Sequence, residues 1–285
     1  MEISEKCVAC LYRKQLIRAE RLTPEAGKEY IEKVEELLKH RTERDNSPYL
    51  VSLFNDIYEK LGGTVESYGE IKREYNKLVL DVEDELRDRI RNSENPLKTA
   101  FFLARTGNYI DFSAVKKVSP EELFRMLRET NLSENDEKVY ASFEEAALQA
   151  KSFLLLADNC GEIVFDKLFL EQLRAQNPAA DLVVMVRGAE AMNDATIEDA
   201  EQIGLSKVAR VVPNGSNLTG TMYDMISEEA KELLKHSEVI LSKGQGNYES
   251  LSGHGFHVFY TFLCKCDLFV EKFAVPQFTG MLVEE

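Results

Sequence analysis

Apolar residues recur three and four positions apart through the first half of the chain and crowd into short unbroken runs through the second. In the first half Leu11, Ile17, Ile31, Val34, Leu37 and Leu38 fall on helical stripes among charged residues. The run Asp45 to Pro48 interrupts one helix, and Gly62-Gly63 another. Tyr68 to Arg91 reads as one long helix with Leu78, Val79, Val82, Leu86 and Ile90 along one side. Ser119, followed by Pro120, Glu121 and Glu122, has the form of an N-cap and a first helical turn.

Near residue 150 the period changes. Ser152–Ala157 (SFLLLA), Asp181–Arg187 (DLVVMVR), Lys207–Val212 (KVARVV), Glu238–Leu241 (EVIL) and His257–Leu263 (HVFYTFL) are short apolar runs, the form of strands covered on both faces. Helical stretches lie between them: Gly161 to Arg174, a segment through Ile197 to Ile203, and Ser227 to Lys235 with Ser227 as N-cap. Strands that alternate with helices pair in parallel, because each crossover needs a dozen or more residues. The expected fold is therefore α/β: a helical N-terminal region over residues 1–150, and a Rossmann-like, mostly parallel sheet over residues 151–285.

In open parallel sheets ligands bind beyond the carboxyl ends of the strands. The first predicted strand is followed by Asp158, Asn159, Cys160, Gly161 and Glu162, and the second by Asn193 and Asp194. The third is followed by Asn214 to Asn217, and the fourth by Lys243, Gly244, Gln245, Gly246 and Asn247. Acids, amides, glycines and a lysine thus collect on one rim. Each group alone is as consistent with an ordinary turn or helix cap; four on one rim point to a site. Carboxylate and amide oxygens are hard donors suited to Mg²⁺ or Mn²⁺, so Asp158, Asn159 and Asp194 are the expected metal ligands. Gly161 opens a helix whose first amides favour an anion, and Lys243, between glycines, is expected to approach that anion. Together they suit phosphoryl transfer.

Composition narrows the partners. A formal net charge of −15 with no long basic run argues against a nucleic-acid or anionic-membrane surface. No apolar stretch reaches membrane-spanning length and MEISEKCVACLYRKQ lacks a signal-peptide core, so a cytoplasmic protein is expected. Five cysteines do not suggest a secreted disulfide framework. Cys7 and Cys10 form CxxC, and Cys264 and Cys266 form CxC; zinc is one reading, and idle or buried thiols are the favoured one.

The segments ADNCGEIVFDKL (157–168), MNDATIEDA (192–200) and SKGQGNYESL (242–251) resemble the damage-control phosphatase family, formerly domain of unknown function 89, as does ARTGNYIDF (104–112). The resemblance covers most of the chain, and CxxC is typical of the family's shorter microbial members. It implies a divalent metal (Mn²⁺, Co²⁺, Ni²⁺ or Mg²⁺) on Asp158, Asn159 and Asp194, and a phosphate contact from Lys243 with Asn247 nearby. It also implies hydrolysis of small phosphorylated metabolites, sugar phosphates or damaged cofactor intermediates among them. Asp111, in GNYIDF, is expected at the same rim or in a loop cap, and Glu162 behind the metal or in a first helical turn. Two rivals remain: an S-adenosylmethionine-dependent protein carboxyl methyltransferase, for which Gly161 alone is a thin glycine loop, and a phosphometabolite-binding module without turnover. The oligomeric state is not legible.

Overall fold

The computed structural model describes residues 3–42, 45–109, 125 and 133–285. Three amphipathic helices come first: α1 (Glu5–Ala19), α2 (Pro24–Lys39) and α3 (Ser47–Lys60). Ser4, Thr23 and Asn46 cap them by accepting backbone N–H bonds, each such cap being worth about 1 kcal/mol. Leu11, Tyr30, Val34, Leu38, Leu50, Phe54 and Tyr58 form a core of their own between these helices. Ile17, expected on the buried stripe, is exposed instead, because α1 presents only its Leu11–Gln15 side to its neighbours.

The next helices are α4 (Gly69–Leu80), α5 (Glu83–Arg91), α6 (Pro96–Gly107) and α7 (Glu134–Gln149). The single helix expected over Tyr68 to Arg91 is therefore two, broken at Asp81-Val82. The two halves pack on different partners. Asn76 of α4 donates to Asp199 and Gln202, whereas Arg87 of α5 pairs with Glu171. Local periodicity cannot show that divergence. The helix start expected at Ser119-Pro120 lies outside the described residues, as does Asp111.

The sheet then begins. Its strands are β1 (Ser152–Leu156), β2 (Asp181–Val186), β3 (Arg210–Pro213), β4 (Val239–Lys243), β5 (Phe259–Leu263) and β6 (Gly280–Glu284). They lie in the order β3-β2-β1-β4-β5-β6, parallel except for β6, which runs antiparallel to β5. The helices between them are α8 (Glu162–Gln176), α9 (Ile197–Gln202), α10 (Glu228–His236) and α11 (Gln245–Leu251), and α12 (Asp267–Phe273) precedes β6. The third strand starts at Arg210 rather than Lys207, which sits in a short 3₁₀ turn. Neither β6 nor α11 is visible as a periodic run in the sequence.

Side chains alternate across the pleat. Phe153, Leu155, Leu182, Val184, Val239, Leu241 and Phe259 pack with α5 to α8, while Leu154, Leu156, Val183, Met185, Ile240 and Tyr260 pack with α10 to α12. The helices from Val79 through Ala150 thus share one core with a face of the sheet. Phe143 of α7 joins them: its ring lies 4.8 Å from Phe101, 6.1 Å from Phe153 and Phe169, and 5.3 Å from Phe259, centroid to centroid. Because that ring touches two helices and two strands, Phe143→Ala should cost about 3–5 kcal/mol, read as a lower urea midpoint with an unchanged slope.

Candidate active site

The order of strands reverses between β1 and β4, the neighbours at the centre of the sheet. A crevice opens at such a switch point. Asp158 and Asn159 leave β1 there, and Gly244 leaves β4 there. A short antiparallel bridge between Asn159 and Asp194 joins the loop after β1 to the loop after β2. The Ala195 amide donates to the Asp158 carbonyl at 2.7 Å, and the Cys160 amide to the Asn193 carbonyl at 2.8 Å. Residues 35 positions apart are thereby locked together at the rim by backbone alone.

Asp158, Asn159 and Asp194 are all buried against bulk water yet line a cavity of about 420 Å³. Burial raises the Asp158 carboxyl well above the usual range, and the charges of Asp194 and Glu162 add to that, against Lys265 and Arg187. Arg187, at the end of β2's rim, donates from Nε to Asp194 Oδ2 at 2.6 Å. Its Nη1 donates to Thr221 and Asn247. Its Nη2 is buried without a hydrogen-bond partner, 3.8 Å from Asp158 Oδ1. Two buried carboxylates and an amide, all hard donors, face one cavity. That donor set fits a hard divalent cation.

Gly244 is required beside Asp158. Its φ is +79°, and a Cβ there would fall 2.0 Å from Asp158 Oδ2.

Lys243 stands elsewhere than the sequence suggests. It is the last residue of β4, not the first of the loop, so it keeps the strand's alternation. It points with Val239 and Leu241 toward α6 and α8. Its fully buried ammonium donates to Glu162 Oε1 at 2.7 Å, Asp166 Oδ1 at 2.6 Å and the Ala104 carbonyl at 3.0 Å. It does not line the cavity. The amides at the start of α8 are also engaged. Gly161 (φ +69°) donates to Asn76 Oδ1 at 2.6 Å, and Asn159 N to Glu162 Oε2. They form no open anion cradle. Asn247 is buried, bracing Arg187 with its oxygen and donating to the Ala157 and Lys243 carbonyls. Of the expected set, Asp158, Asn159 and Asp194 meet at the cavity, while Gly161, Glu162, Lys243 and Asn247 lie behind it.

Two lysines do line the cavity: Lys14 from the outer wall and Lys265, two residues past β5. The rim of that fifth strand carries it, beyond the four loops in which sequence reading sought the site. Arg187 was hidden inside the second apolar run. Asn108, at the end of α6, donates to Asp158 Oδ2 at 2.9 Å and to Glu162 Oε2 at 2.8 Å; it lies in the segment ARTGNYIDF, in which only Asp111 was singled out.

The outer wall of the cavity comes from α1 and α3, through Leu11, Lys14, Gln15, Ser47, Pro48 and Val51. Cys7, Cys10 and Cys266 also border it, with Glu249, whose carboxyl burial pushes up to about 7 against a hydrogen bond with Ser47. Cys264 is instead buried in the core beneath α12. Among the described residues no group of three or more His, Cys, Asp or Glu is placed to hold a metal ion; the rim site has only two of those types because its third donor is Asn159. His254 and His257 stand away from the cavity, His257 facing Glu284.

Comparison with known proteins gives the family and the fold. Residues 3–279 match the model of the damage-control phosphatase ARMT1-like domain, and the chain belongs to that family. A protein of Archaeoglobus fulgidus named damage-control phosphatase is 28% identical over 88% of each chain. One of Pyrococcus horikoshii with the same name is 29% identical over 81% of this chain and 78% of its own. The crystal structure of a DUF89 family protein from Pyrococcus horikoshii superposes with a TM-score of 0.81 at 26% identity, covering 100% of this chain and 99% of that one. Among the described residues no helix is long and apolar enough to cross a membrane.

The fit around Gly244 yields a direct test. Gly244→Ala should keep the far-ultraviolet circular dichroism of the parent but push Asp158 aside. Its affinity for Mn²⁺, read by titration calorimetry, should fall by about 10-fold or more, the scale of losses when a ligand's setting is disturbed.

Proposed function

We propose that this protein is a divalent-metal-dependent phosphatase of small phosphorylated metabolites. One observation carries the reading: Asp158 and Asp194, two buried carboxylates, open with Asn159 onto a cavity that also holds Lys265. The names of the relatives in Archaeoglobus fulgidus and Pyrococcus horikoshii support it. Asp158, Asn159 and Asp194 would hold Mn²⁺, Co²⁺, Ni²⁺ or Mg²⁺, which supplies concentrated positive charge and makes water more acidic.

The chain's own residues do the rest. Lys265 faces the same space as the two aspartates and is suited to neutralise the non-bridging oxygens of a phosphoryl group as charge develops on them. Arg187 sets Asp194 through its 2.6 Å bond and braces the floor through Asn247 and Thr221. Leu11, Pro48 and Val51 make the outer side apolar. A volume of about 420 Å³ is in the range of small-molecule sites, and Glu249, Gln15 and Ser47 offer polar contacts for the remainder of the substrate. A cavity of that size suits a metabolite rather than a phosphoprotein loop.

Asp158→Ala and Asp194→Ala should each abolish turnover of an aryl phosphate by protein stripped of metal and reloaded with one defined ion, while thermal melts show the fold retained. Lys265→Ala should keep metal affinity and lose about 10²–10³ in kcat, the scale for removing one charge-stabilising donor. Full activity in either aspartate variant would overturn the reading.

A further inference from the structure

A side-chain amide can ligate a cation only through its oxygen, and its two ends differ only in what they bond. Asn159 Nδ2 donates to Asp158 Oδ2 at 2.7 Å and to Glu162 Oε2 at 2.8 Å. Asn108 Nδ2 donates to the same Glu162 oxygen at 2.8 Å, and Asn108 Oδ1 accepts from the Leu263 amide at 3.1 Å, which fixes that amide's own orientation. The other Glu162 oxygen, Oε1, accepts from Lys243 at 2.7 Å. Lys243 is anchored in turn on Asp166 and on the Ala104 carbonyl. Glu162, Asp166 and Lys243 are each fully buried, and none borders the cavity.

Both oxygens of Glu162 therefore face donors and nothing else. A group with acceptors at both ends is needed there, and a carboxylate is the side chain that provides it. Its effect on Asn159 is directional: with Nδ2 drawn down toward Glu162 and Asp158, Oδ1 is the end turned away from them. In the present structure that oxygen accepts from Asn193 Nδ2 at 2.6 Å.

We propose that Glu162, held from beneath by Lys243, is a positioning residue that sets the orientation of the Asn159 amide so that its oxygen faces the cation. This rests on the metal-dependent reading above. It gives Lys243 a role without any contact with phosphate. It also accounts for a costly feature, since three charged side chains taken out of water must be closely paired to be tolerated.

The test exploits the near-identity in shape of Glu and Gln. In Glu162→Gln one end of residue 162 becomes a donor. It must meet either the Lys243 ammonium or the amide hydrogens of Asn108 and Asn159. Asn108 is held by the Leu263 amide and the Asn159 backbone N–H cannot turn, so the one donor on that side free to yield is the Asn159 side chain, whose rotation relieves its share of the second conflict and turns its NH₂ toward the cation. Co²⁺ affinity, followed by the visible absorption of the bound ion, should fall about 10- to 100-fold in Glu162→Gln, the range for loss of a ligand's supporting partner. Glu162→Asp changes the packing more but keeps two acceptors, and should bind Co²⁺ more tightly than Glu162→Gln. A purely structural role predicts the reverse order. In Asn159→Asp the ligand has two equivalent oxygens, so adding Glu162→Gln should cost no further affinity. Metal-free thermal melts report folding of each variant. Equal Co²⁺ affinity in the parent and Glu162→Gln, or a Glu162→Asp weaker than Glu162→Gln, would overturn the proposal while leaving the phosphatase reading intact. A parent protein that takes up no divalent ion would sink that reading and this proposal together.

Discussion

Asp158 and Asp194 are two carboxylates withdrawn from bulk water into one another's field, and the surrounding structure is arranged around tolerating that. Desolvation opposes the charged form of Asp158, and the charge of Asp194 adds to that. The chain answers with cations set at different depths: Arg187 bonded to Asp194 in the floor, and Lys265 at the cavity. The backbone contributes too, through the Asn159–Asp194 bridge that removes any freedom for the loops to separate. Left alone, such a pair would relax apart or take up protons. Held in place, it presents two hard donors side by side.

That constraint explains the layering beneath the rim. The switch point of the sheet places the ends of β1 and β4 side by side, so Gly244 can let the Asp158 carboxylate approach the next strand's backbone. Below it lies a second charged tier, Glu162, Lys243 and Asp166, sealed between α6, α8 and β4. The upper tier borders the cavity and the lower tier meets only protein. The two communicate through the amides of Asn108 and Asn159, neutral groups that carry direction without adding charge.

Much of this was legible in the sequence where burial imposes a strict period. SFLLLA, DLVVMVR and EVIL are strands because both faces of a central parallel sheet are covered, and the residues that follow two of them form the rim. Asp158, Asn159 and Asp194 are found by that rule alone. Lys243 was misplaced by the same rule applied two residues out of register: a strand read as ending at Leu241 makes residue 243 a loop residue, whereas in a strand ending at Lys243 it belongs to the buried alternation. β6 escaped because an edge strand half-covered by helices has no continuous apolar run. The break at Asp81-Val82 depends on which neighbours α4 and α5 find, and Lys265 depends on following the rim to a fifth strand.

The outer wall of the cavity belongs to α1 and α3, whose apolar interior is separate from the two that sandwich the sheet. Amino-acid changes on those helices alter the shape and polarity that an incoming molecule meets without disturbing the packing that holds the aspartates. Selection can therefore remodel the mouth of the cavity while inheriting its floor unchanged. A lineage built this way is free to diversify in diet while its chemistry stays the same.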